Sequence, residues 1–137
     1  MKYLSIVLRS AAALILFQTL YFKFTGAPES VYIFTMLGAE PWGRWFAGGS
    51  ELIACVLLML PSTKSLGALM SLGIIAGAIL SHIAVLGIVV QNDGGLLFGL
   101  AVAVFLLSCG ILFLERIQLR AYIDLLKLKA GKFSNAA

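Results

Sequence analysis

Charge is scarce in this chain. Asp, Glu, Lys and Arg together make up 12% of it, and there is a single histidine, His82. A soluble domain carries about 25% charged residues. A chain of 137 residues folded in water leaves a large share of its surface exposed, and so few charges would not solvate it. That excludes an ordinary soluble domain. Cysteine is scarce as well. Cys55 and Cys109 stand alone inside apolar runs, no Cys-x-x-Cys occurs, and His82 is far from both, so no metal-ligand spacing exists. The chain also lacks an iron–sulfur cysteine set and a flavin or dinucleotide fingerprint, and a lone histidine does not supply a bis-histidine haem.

What is abundant is apolar surface: 61% of the residues are hydrophobic. The bilayer is the natural solvent for such a chain. The net charge of +4 does not point to nucleic acid, because the positive residues sit at the ends of apolar segments, where they act as topology signals and headgroup contacts.

A spanning helix needs about 20 mostly apolar residues. Four segments qualify, at about 3–22, 42–60, 66–90 and 94–114. Pro61-Ser62-Thr63-Lys64 and Gln91-Asn92-Asp93-Gly94-Gly95 are tight turns, and links this short make antiparallel neighbours. The expected fold is an all-α integral membrane protein, an antiparallel bundle of four transmembrane helices. Arg9 interrupts the first apolar run and Lys23 ends it, with only Thr25-Gly26-Ala27 as a weak cleavage site. The first segment therefore reads as a retained span rather than a signal peptide. Lys2, Arg9, Lys64, Arg116, Arg120, Lys127, Lys129 and Lys132 fall on one side of the bundle, and Lys23 and Arg44 on the other. The positive-inside rule puts both termini in the cytoplasm.

The first outer loop has structure of its own. Pro28 and Glu29 suit a helix start, Val31, Phe34 and Leu37 recur at helical spacing, and Gly38 suits a helix end. Residues 28–38 read as a short helix lying at the outer surface; the alternative is an ordinary structured loop. The basic tail, 117–137, mixes Arg120, Lys127, Lys129 and Lys132 with Leu119, Ile123, Leu125, Leu126 and Leu128. It reads as a cytoplasmic extension of the fourth helix lying on the anionic inner leaflet, frayed from 131 onward.

Lipid tails are as apolar as leucine, so helices in a membrane associate through close contact of small residues. Gly73, Gly77 and Ser81 on the third segment, and Gly95, Gly99 and Ala103 on the fourth, form two such stripes. They suit contacts within the bundle ahead of a homo-oligomer. Cys55 and Cys109 fall at similar depth, but apolar surroundings keep thiols protonated and inert, and both read as small packing residues.

Ionisable groups inside a span are costly, about 3 kcal/mol at the centre on insertion scales, so each needs a reason. Glu51 lies eight residues past Gly43, and His82 eight before Val90. Both depths are about 12 Å at 1.5 Å per residue. Gln18 and Lys23 sit near the outer end of the first segment. Arg44, Gly48 and Glu51 share one helix face, and Asn92 and Asp93 stand at the rim. Gln18, Lys23, Arg44, Glu51, His82, Asn92 and Asp93 thus outline a polar pocket on the outer side. Such groups usually face a cavity or pathway, which makes the pocket a ligand-binding or proton-relay site. The competing reading is a satisfied network in which Glu51 pairs with Lys23 or Arg44 and pins helices together. Arg9 lies near the inner end, where it can snorkel to the headgroups or turn inward.

Arg9, Lys23-Phe24 at the end of the first helix, Glu51-Leu52-Ile53 followed by Leu57-Leu58-Met59-Leu60-Pro61, and Lys64 in the next turn together resemble the DoxX-like family of bacterial inner-membrane proteins. Phe24-Thr25-Gly26-Ala27-Pro28-Glu29-Ser30, Glu40-Pro41-Trp42-Gly43-Arg44 and Gln91-Asn92-Asp93-Gly94-Gly95 look like a bacterial subgroup of it. The resemblance covers roughly residues 5–115. Three residues before Lys23, where the family often has glycine, this chain has Leu20. The resemblance implies a four-helix protein of the bacterial inner membrane. Some relatives are subunits linked to quinone reduction, and others associate with thiol or oxidative-stress proteins.

Three functions suit these residues. The first is a redox-associated subunit with a quinone-like ligand, in which His82 bonds a carbonyl oxygen and Lys23 and Glu51 hold the site; its electrons would come from a partner protein. The second is a proton-coupled binder or transporter of small molecules, using Glu51 and His82. Four helices without an inverted repeat make a thin gate for transport. The third is a non-enzymatic structural partner in the membrane, with the polar groups as fasteners.

Overall fold

The computed structural model describes residues 2–134. Six α-helices follow one another: α1 (Lys2–Thr25), α2 (Pro28–Met36), α3 (Trp42–Met59), α4 (Lys64–Ser81), α5 (Leu96–Leu114) and α6 (Arg116–Ser134). One π-helical turn, His82–Leu86, extends α4.

Local chemistry sets the boundaries. The N–H of Ala27 donates to the Phe22 carbonyl at 3.0 Å and closes the end of α1. Pro28 then opens α2, where its fixed φ suits a first turn and its missing N–H goes unmissed. Leu60, with φ −78° and ψ 125°, is extended, because the residue before a proline is driven out of the helical region. This stops α3 one residue short of Pro61.

α1 packs against α3 and α5, and α4 packs against the same two helices, so the four close into a ring. Its core draws Ala12, Leu16 and Leu20 from α1, Ala54 and Leu58 from α3, Ala68 and Ile75 from α4, and Val104 and Ile111 from α5. The outside of the ring is also apolar: Leu14, Phe46, Leu80, Ile83, Leu106 and Phe113 are exposed. Exposure of one such side chain to water forgoes roughly 1.5–3 kcal/mol of burial energy; lipid removes that deficit. Among the described residues, three helices are long and apolar enough to cross a membrane: α1, α4 with its π turn, and α5. They point to a multi-pass membrane protein with its flanks against lipid. α3, with Arg44 and Glu51 among its 18 residues, is not one of the three. Both are buried.

The expected span at 66–90 ends early. The α-helix gives way at His82 to the π turn, in which the Gly87 N–H donates to the His82 carbonyl at 2.7 Å. Gly87 itself has φ 78° and ψ 175°, a backbone state open almost only to glycine. Residues 87–95 form an irregular link between the π turn and α5. His82 therefore lies one turn, about 6 Å, from its helix end rather than about 12 Å.

The tail also departs from expectation. Glu115, with φ −100° and ψ 18°, breaks the chain direction after α5. Of the stretch expected to fray, 131–134 belongs to α6, and 135–137 lies outside the described residues. α6 is strapped to the α3–α4 turn. The Gln118 amide donates to the Pro61 and Ser62 carbonyls, both at 3.0 Å, and its oxygen accepts from the Ser65 hydroxyl at 2.9 Å. The Tyr122 hydroxyl also donates to the Ser62 carbonyl.

Arg9 turns inward and is buried. Its guanidinium donates to the Leu58 carbonyl at 3.0 Å and to the Ser5 carbonyl at 3.3 Å. Leu58 is in the last turn of α3, where carbonyls lack intrahelical partners. Thr63 satisfies its neighbour, the Leu57 carbonyl, at 3.1 Å. Beside them Glu115 accepts from Ser5 Oγ at 2.6 Å and pairs with Lys64 at 2.7 Å.

The small-residue stripes do not serve the ring. A Cβ built at Gly73, Gly77 or Gly99 would meet nothing within 4 Å. The close approach is at Gly67, where a Cβ would lie 2.5 Å from the Leu58 backbone nitrogen and 2.7 Å from the Leu57 carbonyl carbon. Backbone leaves no flexible end to move aside. Gly67→Ala is therefore expected to destabilise the protein by about 1–3 kcal/mol, the usual cost of overpacking. Gly73→Ala is expected to be neutral or slightly stabilising, since alanine is the better helix former. Thermal unfolding of the two variants in detergent checks this contrast, and an equal melting temperature for both would contradict it.

Candidate ligand-binding cavity

The half of the ring beneath α2 encloses a cavity of about 520 Å³. α1, α4 and α5 supply most of its wall, including Leu16, Ile75 and Val104, while Ser30, Ile33 and Phe34 of α2 close over it. Its polar lining is confined to a few groups, among them Thr19, Lys23, Glu51, His82 and Asp93.

Glu51 is 3% exposed. Lys23 Nζ stands 3.0 Å from both of its carboxylate oxygens, and the Thr19 hydroxyl 3.2 Å from Oε2. The pair forms because Gly48, one turn before Glu51, brings α3 against α1: a Cβ there would touch Phe24 and Lys23 at 3.3–3.4 Å. A charged residue on each helix meets across that contact, and each satisfies the other.

His82 is buried and sits at the start of the π turn. Its Nδ1 lies 2.8 Å from the Gly87 carbonyl oxygen. The ring stands edge-on to Phe98, with centroids 5.6 Å apart and an interplanar angle of 69°. Two neighbours thus set both the position and the plane of the imidazole.

Asp93 organises the start of α5. Its carboxylate accepts from the Val90 N–H at 2.9 Å, the Gly95 N–H at 2.8 Å and the Leu97 N–H at 2.9 Å. Partial burial works against ionisation, but these three donors and the nearby His82 outweigh it and hold the carboxyl below its ordinary value.

Lys23, Glu51, His82 and Asp93 therefore line one cavity. Arg44 does not join them. It is buried, but its guanidinium is engaged by Glu40, with Nη2 to Oε1 at 2.7 Å, and donates to the Lys23 carbonyl at the end of α1. Glu51 is thus paired with Lys23, and the sequence reading overlooked Glu40, although it stands four residues before Arg44. Gln18 is exposed on the outer face of α1. Leu16, Thr19 and Lys23 take the inward positions, and Gln18 is one residue, about 100°, off that stripe. Thr19 was the residue to choose, being one helical turn from Lys23. Asn92 is exposed as well, in the link before α5 at φ 63°, and does not line the cavity.

Both cysteines are free thiols. Cys55 is buried with Sγ 3.4 Å from the Ala13 carbonyl oxygen. Cys109 is exposed on the ring's exterior, so it is not the internal packing residue expected of it. No group of three or more His, Cys, Asp or Glu side chains could hold a metal ion among the described residues. Comparison with known proteins finds no matching family model, no similar curated protein and no similar solved structure.

The Asp93 contacts carry a pH prediction. A carboxyl lowered on folding contributes stability that is fully present above its unfolded value, roughly pH 3.9, and is lost as pH falls through the lower folded value. Asp93→Ala is expected to cost about 1 kcal/mol at neutral pH, the usual loss for a helix cap. That deficit should shrink on acidification below roughly pH 4. Melting curves of wild type and variant across that range check it, and a deficit that widened in acid would reverse the sign.

Proposed function

We propose that the protein is a DoxX-like subunit of the bacterial inner membrane, and that its cavity binds a small amphipathic molecule of quinone type on the outer side. α1, α3, α4 with its π turn, and α5 are the four antiparallel spans. α2 lies at the outer surface as a cover. Both termini are cytoplasmic, as the distribution of lysine and arginine requires.

The observation that carries this reading is the composition of the cavity under α2. At about 520 Å³ it falls within the roughly 300–1,000 Å³ usual for small-molecule sites. Its walls are mostly leucine, isoleucine, valine, alanine and phenylalanine, and its polar groups are few: the Lys23–Glu51 pair, Thr19, Glu29, Ser30, Ser81, His82 and Asp93. A flat ring with oxygen substituents matches that division, with the ring against the apolar wall and the oxygens toward His82 and the ion pair. The chain's own residues offer no electron carrier, so a redox role calls for a partner protein that docks on it.

One observation favours a purely structural role: the Lys23–Glu51 pair joins α1 to α3 and would fasten the ring with or without a ligand. Ligand-induced stabilisation separates the two readings. Decylubiquinol, the reduced form with hydroxyl donors, at about a hundredfold its dissociation constant adds about 2.7 kcal/mol to a protein that binds it only when folded. Wild type is expected to show the corresponding rise in melting temperature, and so is Gln18→Ala, which changes an exposed residue. His82→Asn and Glu51→Gln are expected to fold and to lose the rise. Absence of any rise in wild type, or retention of it in both cavity variants, would leave only the fastening role.

A further inference from the structure

We propose that His82 presents a bare Nε2 to the cavity, and that the site therefore selects a ligand bearing a neutral hydroxyl donor, of phenol or quinol type, over the same molecule with only acceptor oxygens. This rests on the cavity being a ligand site.

A backbone carbonyl oxygen only accepts hydrogen bonds. The 2.8 Å contact between Nδ1 and the Gly87 carbonyl therefore places a proton on Nδ1. In a neutral imidazole the other nitrogen is then an acceptor. Among the described residues no protein donor reaches Nε2, although the side chain lines the cavity. The tautomer is not free to reverse, because three features of the backbone and its neighbours hold it. The π turn brings Gly87 back toward His82, the positive φ of Gly87 aims its carbonyl at the ring, and Phe98 fixes the ring plane. An acceptor left open in an apolar chamber is costly until a donor arrives.

The class of donor follows from the other charges. Glu51 is paired with Lys23, and Asp93 is taken up by three backbone N–H groups. Glu29 also lines the cavity, but it is exposed to solvent. No buried carboxylate of the lining is left unpartnered to hold a cationic donor, so an ammonium group deep in the chamber would be stranded among leucine and isoleucine. A neutral hydroxyl on an apolar ring meets both conditions: it donates to Nε2 and is cheap to desolvate. In redox terms, the site holds the reduced, hydroxylated form of a quinone more tightly than the oxidised form.

His82 is the only histidine in the chain, so ¹⁵N-histidine labelling gives one pair of ring-nitrogen signals from the full-length protein in lipid nanodiscs. The probes are 4-hexylphenol and 4-hexylanisole, which differ in whether the oxygen carries a proton, with partitioning corrected in protein-free discs. The expected spectrum shows a protonated Nδ1 and a bare Nε2, with Nε2 shifting on addition of the phenol and not of the anisole. The phenol should bind roughly tenfold tighter, the ordinary worth of one hydrogen bond to a buried acceptor. Contacts between probe protons and the Ile75 methyls report occupancy separately. Occupancy by both probes with equal affinity, or a proton found on Nε2 in the free protein, overturns the hydroxyl selection while leaving the cavity a ligand site. If neither probe reaches Ile75, the ligand-site reading and this inference fall together.

Discussion

Lys23 and Glu51 meet where α1 crosses α3, and the upper half of the ring depends on that meeting. In an apolar medium neither charge has a substitute for water except the other. Glu51 takes the Lys23 ammonium with both oxygens and Thr19 with one of them, so the carboxylate is held from one side by two residues of α1. The helices reach this distance because Gly48 carries no side chain between them. With α1 and α3 joined at that level, α4 and α5 complete the ring, and a chamber remains between them under α2. The ion pair thus does two things at once: it closes one wall and leaves its polar edge facing the chamber.

The opposite end of the ring is built on different chemistry. Ser5, Arg9, Lys64 and Glu115 tie α1, α4 and the end of α5 together, and Arg9 also satisfies a carbonyl at the end of α3. Leu58 and Ile111 are fully buried there, and Gly67 lets α4 lie directly on the α3 backbone. The ring is tight at this end and hollow at the other, and that difference places the cavity under α2. Asp93 and the π turn finish the hollow end. Asp93 starts α5 from the irregular link, and the π turn tilts the His82 ring toward the chamber.

Much of this architecture was legible in the residues. Apolar runs located the main helices, Pro28 and Pro61 located two of their ends, and the polar interruptions Glu51, His82 and Lys23 each have a partner in the fold. Depth counting placed Glu51 and His82 at one level, although for His82 the count was wrong. A π turn adds a residue to the helical circuit without changing composition, so His-Ile-Ala-Val-Leu reads as ordinary helix, and only Gly87 hinted at the stop. Pairing was less legible than position. Arg44 shares a face with Glu51, yet it bonds Glu40, because the turn before α3 folds back on the helix. Gln18 and Thr19 are adjacent in sequence, and a rotation of about 100° decides which looks inward. Small-residue stripes were the least informative, since glycine spacing on a helix does not tell which flank meets protein and which meets lipid. At Gly67 the answer came from the close approach of the α3 backbone at Leu57 and Leu58, a fact of tertiary contact.

The placement of Arg9 has a consequence for how such a chain assembles. α1 precedes α3 in the chain and carries Arg9 and Lys23, and no Asp or Glu within α1 offers either of them a counter-charge. Both find their partners on α3: a carboxylate for Lys23 and a spare carbonyl for Arg9. In a bilayer, α1 by itself would hold two cations at an insertion cost of about 3 kcal/mol each were they at mid-depth. Contact with α3 offsets that cost, through the Glu51 carboxylate for Lys23 and the Leu58 carbonyl for Arg9. The two helices thus stabilise each other as a pair.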